Sequence, residues 1–356
     1  MKLSGCICFP FMVLSLLTVG SSLEPVTMVI SGIIGVGSLF AASQWEPIHC
    51  RVMTCCNSRW ITNNMTGLIS NLNEKLYGQH LASSKVLELI GSHVKSENPS
   101  KALVLSFHGP VGVGKTYVSQ TIAKNMYMDG LHSKFVHLIS AVRDFPFEGN
   151  MPVYKDQLWA WIEGNITECG RSMFIFEEVD KLPAGFLDVL VPFIEYHSNH
   201  QRQKYSKTIF ILISNTGSSD IIKATSDHRR SGKSRKTLDY SELDNAIKQA
   251  INSETEYGLS ASQLISRNLI TALIPFLPLE AEHVTLCIND FIQGNIQPSN
   301  CPRRYFPGKY RPSKCIPSQE FIDEVLKLLT FSPKEEPLFS ATGCKQAQQK
   351  INEVLG

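Results

Sequence analysis

The 356-residue chain has no excess of charge of either sign: 34 Lys and Arg stand against 32 Asp and Glu, a formal net charge of +2. So small an imbalance creates no field that calls for a polyanion, and no nucleic acid is expected as a partner. Charged residues make up only 19% of the chain against 43% hydrophobic ones, which excludes wholesale disorder. There is neither a fixed-period repeat nor a low-complexity tract. Ten cysteines are too dilute for a disulfide-stapled miniature fold, yet numerous enough to make the redox compartment matter. The length suits about two domains.

What is present begins with a targeting pattern. Lys2 gives a weak positive start, Phe9 to Val19 is an apolar core, and Gly20-Ser21-Ser22 supplies small residues for cleavage. Residues 1–22 therefore read as a secretory signal peptide, and the mature chain is expected outside the cytosol. The alternative, a buried N-terminal helix, lacks a polar face over Phe9–Val19. Within 23–49, a second apolar stretch runs from Val26 to Ala42 with Gly32, Gly35 and Gly37 inside it. As a helix it would reach about 26 Å against roughly 30 Å of hydrocarbon, which is short for a full crossing. A membrane-associating hairpin or a helix dipping into one leaflet is expected, with an uncleaved signal anchor or a buried core helix as alternatives. Two glycosylation sequons, at Asn64 and Asn165, fit a secretory-pathway lumen.

The chemistry starts at an apolar run, Ala102 to Phe107, followed by Gly109-Pro110-Val111-Gly112-Val113-Gly114-Lys115-Thr116 and an amphipathic stretch to about Tyr127. Strand, glycine-rich loop and helix in this order, with the G-x-x-x-x-G-K-[ST] spacing, predict a phosphate-binding loop. Its backbone N–H groups would converge on phosphate oxygens at a helix N-terminus. Lys115 is expected on the β- and γ-phosphates and the Thr116 hydroxyl on Mg²⁺, which makes ATP and Mg²⁺ the expected cofactors. A second apolar run, Met173 to Phe176, ends in Glu177-Glu178-Val179-Asp180. Glu177 is assigned to the metal, and Glu178 to the base that polarises the attacking water. Glu177 is one methylene longer than the Asp usual there, so its metal contact is expected through water. A third run, Thr208 to Ile213, ends in Ser214-Asn215. Asn215 can reach the γ-phosphate or the water if its strand lies beside the first.

Together with Ile274-Pro275-Phe276-Leu277-Pro278-Leu279-Glu280, Phe331-Ser332-Pro333-Lys334-Glu335-Glu336 and Gly343-Cys344-Lys345, these motifs make the chain from about Cys50 onward resemble the torsins. Torsins are AAA+ ATPases of the endoplasmic reticulum lumen and nuclear envelope, akin to the Clp/HSP100 group. The resemblance implies an α/β P-loop AAA+ domain with a parallel sheet over 50–270, followed by a small helical lid over 271–356. It implies that Lys345 contacts the nucleotide phosphates and that Cys287 pairs with Cys344. A disulfide beside Lys345 would couple nucleotide affinity to redox state, a purely structural staple being the alternative. It also implies that Cys169 pairs with Cys50, Cys55 or Cys56. The resemblance implies a homo-oligomer whose catalytic arginine comes from the lumenal domain of a transmembrane activator. An ATPase that is weak alone is therefore expected, one that remodels protein or membrane assemblies. A nucleotide-switched binding protein with little turnover is the rival reading, and a small-molecule kinase a distant third.

Some features depart from the family pattern. Thr116 stands where many torsins carry Asn, which favours ordinary Mg²⁺ coordination. The Pro-rich basic segment between Asn295 and Cys315 looks like an insertion in the lid, which Cys301 and Cys315 would close into a surface loop. The run His228 to Lys236 sits about where an arginine finger would project, but Arg229 and Arg230 read as surface charge. A pore-loop candidate, Phe145 to Asn150, is stiffened by Pro146, and Trp159 and Trp161 read as helix-face packing.

Overall fold

In a computed structural model, residues 50, 53–195, 204–296, 315–333 and 337–355 are described. The expected signal peptide, the segment 26–42, Cys301 with most of the 295–315 insertion, and Lys334 to Glu336 lie outside them. Contacts divide the chain into a unit up to Cys55 and a second running from Cys56 to Gly356. In the first, Cys50 and Cys55 form a disulfide. No helix among the described residues is long and apolar enough to cross a membrane.

The second unit is built on a five-stranded parallel sheet. Its strands are β1 (Leu103–His108), β2 (Val136–Ser140), β3 (Met173–Glu177), β4 (Ile209–Ser214) and β5 (Ala272–Pro275), in the order β2-β3-β4-β1-β5. Every residue of β1 and β4 is buried, as befits central strands covered on both faces. Because successive side chains point to opposite faces, each strand feeds two cores. Leu105, Phe107, Ile175 and Ile211 enter one, whereas Val104, Phe174, Phe176, Phe210 and Leu212 enter the other.

The first face is covered by α1 (Met65–Lys75), α2 (His80–Lys95) and α3 (Lys115–Met126). The other carries α4 (Met151–Glu168), α5 (Ser218–Arg230) and α6 (Tyr240–Ser253). In α6, Leu243, Ile247 and Ile251 recur every fourth residue as the buried stripe, and the Asp239 side chain caps the start by accepting from Ser241 N–H. Beyond β5 follow α7 (Ala281–Asn295), α8 (Gln319–Lys327), the short antiparallel pair β6 (Phe331–Ser332) and β7 (Phe339–Ser340), and α9 (Ala347–Leu355). These helices bury Val284, Ile288, Phe321, Val325 and Ile351 in the same core as Leu105 and Phe107. The expected lid is thus packed continuously onto one face of the sheet.

Aromatic rings fill the second core. Phe174 stacks on Phe210 with centroids 5.3 Å apart and on His137 at 4.7 Å, and the edge of Trp161 meets it at 5.8 Å. Trp161 is therefore a packing residue, whereas Trp159 is 45% exposed and touches Phe193. In the pore-loop candidate, Phe145 turns inward onto Tyr154 and Phe186, and Phe147 is exposed. A disulfide joins Cys56 to Cys169 at the end of α4, and Cys315 is also disulfide-bonded. Of the two sequons, Asn64 is exposed and caps α1, while Asn165 is half-buried within α4 and donates its Nδ2 to Trp161 O. Phe174→Ala should cost about 3–5 kcal/mol. Denaturant unfolding checks this, and a loss below about 1 kcal/mol would show that the aromatic stack is not a principal part of the core.

Candidate functional site

The loop Gly109–Gly114 leaves the end of β1 and enters α3 at Lys115. It bends through positive φ, +73° at Gly112 and +105° at Gly114, a region that residues with a side chain avoid. Gly112 has a second reason to be glycine: a Cβ there would lie 1.9 Å from the carbonyl oxygen of Thr342. Gly343, with φ +54°, faces it, and a Cβ on Gly343 would lie 2.3 Å from Gly112 O. Between them Cys344 N–H donates to Gly112 O at 3.0 Å. The loop and the turn before α9 are therefore in direct backbone contact.

Lys115 is 6% exposed. Its Nζ donates to the carbonyls of Gly109 and Pro110 and, at 3.1 Å, to Asn215 Oδ1 at the end of β4. These three acceptors match its three protons. Burial lowers its pKa to about 8, a shift opposed by the charge of Asp180. Asp180 in turn accepts from Asn215 N–H at 2.9 Å and faces Asn215 Nδ2 at 3.4 Å, which turns the carboxamide oxygen toward Lys115. Asp180 is the member of this chain of contacts that sequence reasoning missed. It was visible only as the last acidic residue of the strand-end motif.

Glu177 is the last residue of β3 and lies across from Ser140 of β2. Glu178 follows with φ +59°, a strained conformation for a non-glycine residue, and its exposed carboxylate lies 3.5 Å from Ser140 Oγ. A cavity of about 630 Å³ brings together Val111 to Thr116, Glu177, Glu178, Asn215, Cys287, Cys344 and Lys345. Gly109 and Pro110 act through their carbonyls on Lys115. Cys287 of α7 and Cys344 are bonded, so a disulfide forms part of the cavity lining.

Lys75 and Tyr77 also line the cavity and were not read from the sequence. Both bond Asp290 of α7, and burial together with that carboxylate pushes the Tyr77 phenol up. No local motif marks them, because their partner Asp290 is 215 and 213 residues away in the chain. Arg229 and Arg230 lie elsewhere, paired with Glu280 and Asp227.

The cavity fits a nucleotide triphosphate. Its volume lies in the usual range for a small-molecule site. Lys75, Lys115 and Lys345 supply three cations. Gly114, the residue before α3, supplies no side-chain cap, which leaves the first-turn N–H groups of the helix available to an anion. Thr116 and Glu177 offer a hydroxyl and a carboxylate, the hard oxygen ligands that Mg²⁺ takes together with phosphate.

Comparison with known proteins agrees. The family model described as Torsin matches residues 50–176. Torsin-3A of Rattus norvegicus is 35% identical over 325 residues, covering 90% of this chain and 77% of the relative. The chain belongs to the torsin family. This membership supports nucleotide binding and an ATPase of chaperone-like function. Among solved structures, the S. cerevisiae Hsp104-ADP complex matches with a TM-score of 0.54 at 15% identity, over 88% of this torsin and 49% of that chain. Closed-state Hsp104 with ATPγS and FITC casein matches at 0.54 and 16%, over 83% and 47%. This torsin thus spans about half the length of the Hsp104 chains, and the likeness supports the α/β fold with its parallel sheet.

The depressed pKa of Lys115 fixes a pH dependence. Phosphate favours the charged ammonium, so ATP affinity should be full below about pH 8 and fall by up to about tenfold per unit above it. The folded chain also holds fewer protons than the unfolded one between about 8 and the ordinary lysine value of 10.5, so this group's contribution to stability rises with pH across that window. Nucleotide affinity titrated from about pH 7 to 9 checks the first statement, and a flat profile contradicts a binding role for Lys115.

Proposed function

We propose that this torsin binds ATP with Mg²⁺ between the phosphate loop and the acidic pair Glu177 and Glu178, and hydrolyses it. In this reading Lys115 exchanges the carbonyls of Gly109 and Pro110 for phosphate oxygens. Asn215, held by Asp180, keeps its amide oxygen on the ammonium. Glu178 accepts the proton of the attacking water. Lys345 contributes a charge from the lid side. Mg²⁺, held by Thr116 and through water by Glu177, would neutralise charge on the phosphates. The observation that carries this reading is the gathering of Lys115, Thr116, Glu177, Glu178, Asn215 and Lys345 around one cavity.

The cations that line the cavity are all ammonium groups, and among the described lining residues no arginine joins them. This supports a slow ATPase that gains an arginine from the lumenal domain of a membrane-anchored activator. Assembly into an oligomer with copies of itself or with that activator belongs to the same reading. So do residence in the endoplasmic reticulum lumen and nuclear envelope, peripheral membrane association through 26–42, and modification at Asn64 and Asn165. The output would be remodelling of protein or membrane assemblies, driven by nucleotide-dependent movement of the lid over 271–356. The Cys287–Cys344 disulfide, next to Lys345, would make nucleotide affinity sensitive to lumenal redox state.

Glu178→Gln should reduce activator-stimulated phosphate release by about 10²–10⁴-fold while ATP binding stays intact. Unchanged release would remove Glu178 from the base role. Wild-type protein that binds ATP but releases no phosphate with any membrane-protein lumenal domain would instead identify a nucleotide-switched binding protein.

A further inference from the structure

A second cavity, of about 860 Å³, abuts the nucleotide cavity. Leu76 lines both. Along the chain Tyr77 lines the first, and Gly78 and Gln79 line the second; Leu279 and Glu280 divide in the same way. Its wall carries the cations Arg229, Lys233, Arg235 and Lys236 against two carboxylates, Glu280 and Glu282. Glu280 is taken up by Arg229 and Arg235, and Arg235 also donates to Gly78 O at 2.9 Å. The two guanidinium groups are therefore fixed in place. Lys233 and Lys236 are exposed and have no side-chain partner among the described residues.

Three further observations point to an anion. His80 lines the cavity, and its enclosed Nε2 has no hydrogen-bond partner among the described residues. The 16-residue helix α2 starts at His80 without a side-chain cap, because Gln79 spends its amide on Leu277. Ser83 in the first turn of that helix and Ser84 just after it also line the cavity. Leu72, Leu87, Leu238 and Leu286 also line the cavity and give it apolar surface.

We propose that this cavity binds a phosphomonoester with an apolar portion, its phosphate against Lys233, Lys236 and the start of α2 and its apolar part against the leucines. A polyanion such as nucleic acid would leave the leucines unused, and a purely apolar ligand would leave the cations and His80 Nε2 unanswered. Two sources carry this chemistry: a membrane phospholipid with a terminal phosphate, or a soluble organic phosphate.

The test uses the full chain with saturating ATP and Mg²⁺, so that the nucleotide cavity is filled. Binding of dihexanoyl phosphatidate is measured by calorimetry for the wild type, for Lys233→Glu combined with Lys236→Glu, and for Ser84→Trp, which obstructs the cavity without changing charge. The wild type should bind, and both variants should weaken binding by about tenfold or more with ATP affinity unchanged. Tighter binding to phosphatidylcholine vesicles containing phosphatidate than to vesicles without it would identify the membrane source. Glycerol 3-phosphate binding as tightly as dihexanoyl phosphatidate would overturn the apolar half of the proposal. No binding by the wild type, equal affinity in both variants, or loss of binding on Lys115→Ala would overturn the site.

Discussion

A buried ammonium organises this molecule. Lys115 sits where β1 and β4 end, out of water, and among the described residues no carboxylate pairs with it. A charge in that position is tolerated only if its protons are all taken. The phosphate loop must therefore curl until its own carbonyls face the side chain, and Asn215 must present oxygen rather than nitrogen. The first demand accounts for the glycines, and the second for Asp180. The strand order sets the stage for both, because β1 lies between β4 and β5 and its end is flanked by the end of β4.

The same loop is fastened from the lid side. Gly112 and Gly343 meet backbone to backbone, Cys344 N–H reaches Gly112 O, and Cys344 is bonded to Cys287 of α7. Lys345 follows one residue later and has its Cβ 3.2 Å from where a Cβ on Gly112 would stand. The helices after β5 thus reach the loop itself through the turn Thr342 to Lys345, while α7 also lines the cavity with Cys287 and holds Lys75 and Tyr77 through Asp290. A small shift of that turn changes the position of a cation, a disulfide and the loop together.

Local patterns in the chain are enough to read the phosphate loop, the acidic strand end and Asn215, because each motif sits at the end of an apolar run whose burial is obvious from composition. Parallel strands with both faces covered follow from the same runs. What stays hidden depends on neighbours distant in sequence. Tyr77 and Lys75 become part of the cavity only when α7 brings Asp290 beside them. Asp180 reads as one more acidic residue until β4 places Asn215 next to it. Arg229 reads as solvated charge, yet Glu280, 51 residues on, engages it. The cysteines left three partners open for Cys169, and only the folded chain distinguishes Cys56 from Cys50 and Cys55.

The bond between Cys56 and Cys169 encloses a stretch with a sequence separation of 113 residues. That ring contains β1, the phosphate loop, β2 and all of α1 to α4. Any motor that drew this polypeptide end-first through a narrow channel would have to admit two strands abreast once it reached either cysteine. Dismantling the protein therefore takes a reductant as well as a pulling force, and until the link is cut the loop Gly109–Gly114 stays tied into a closed circle.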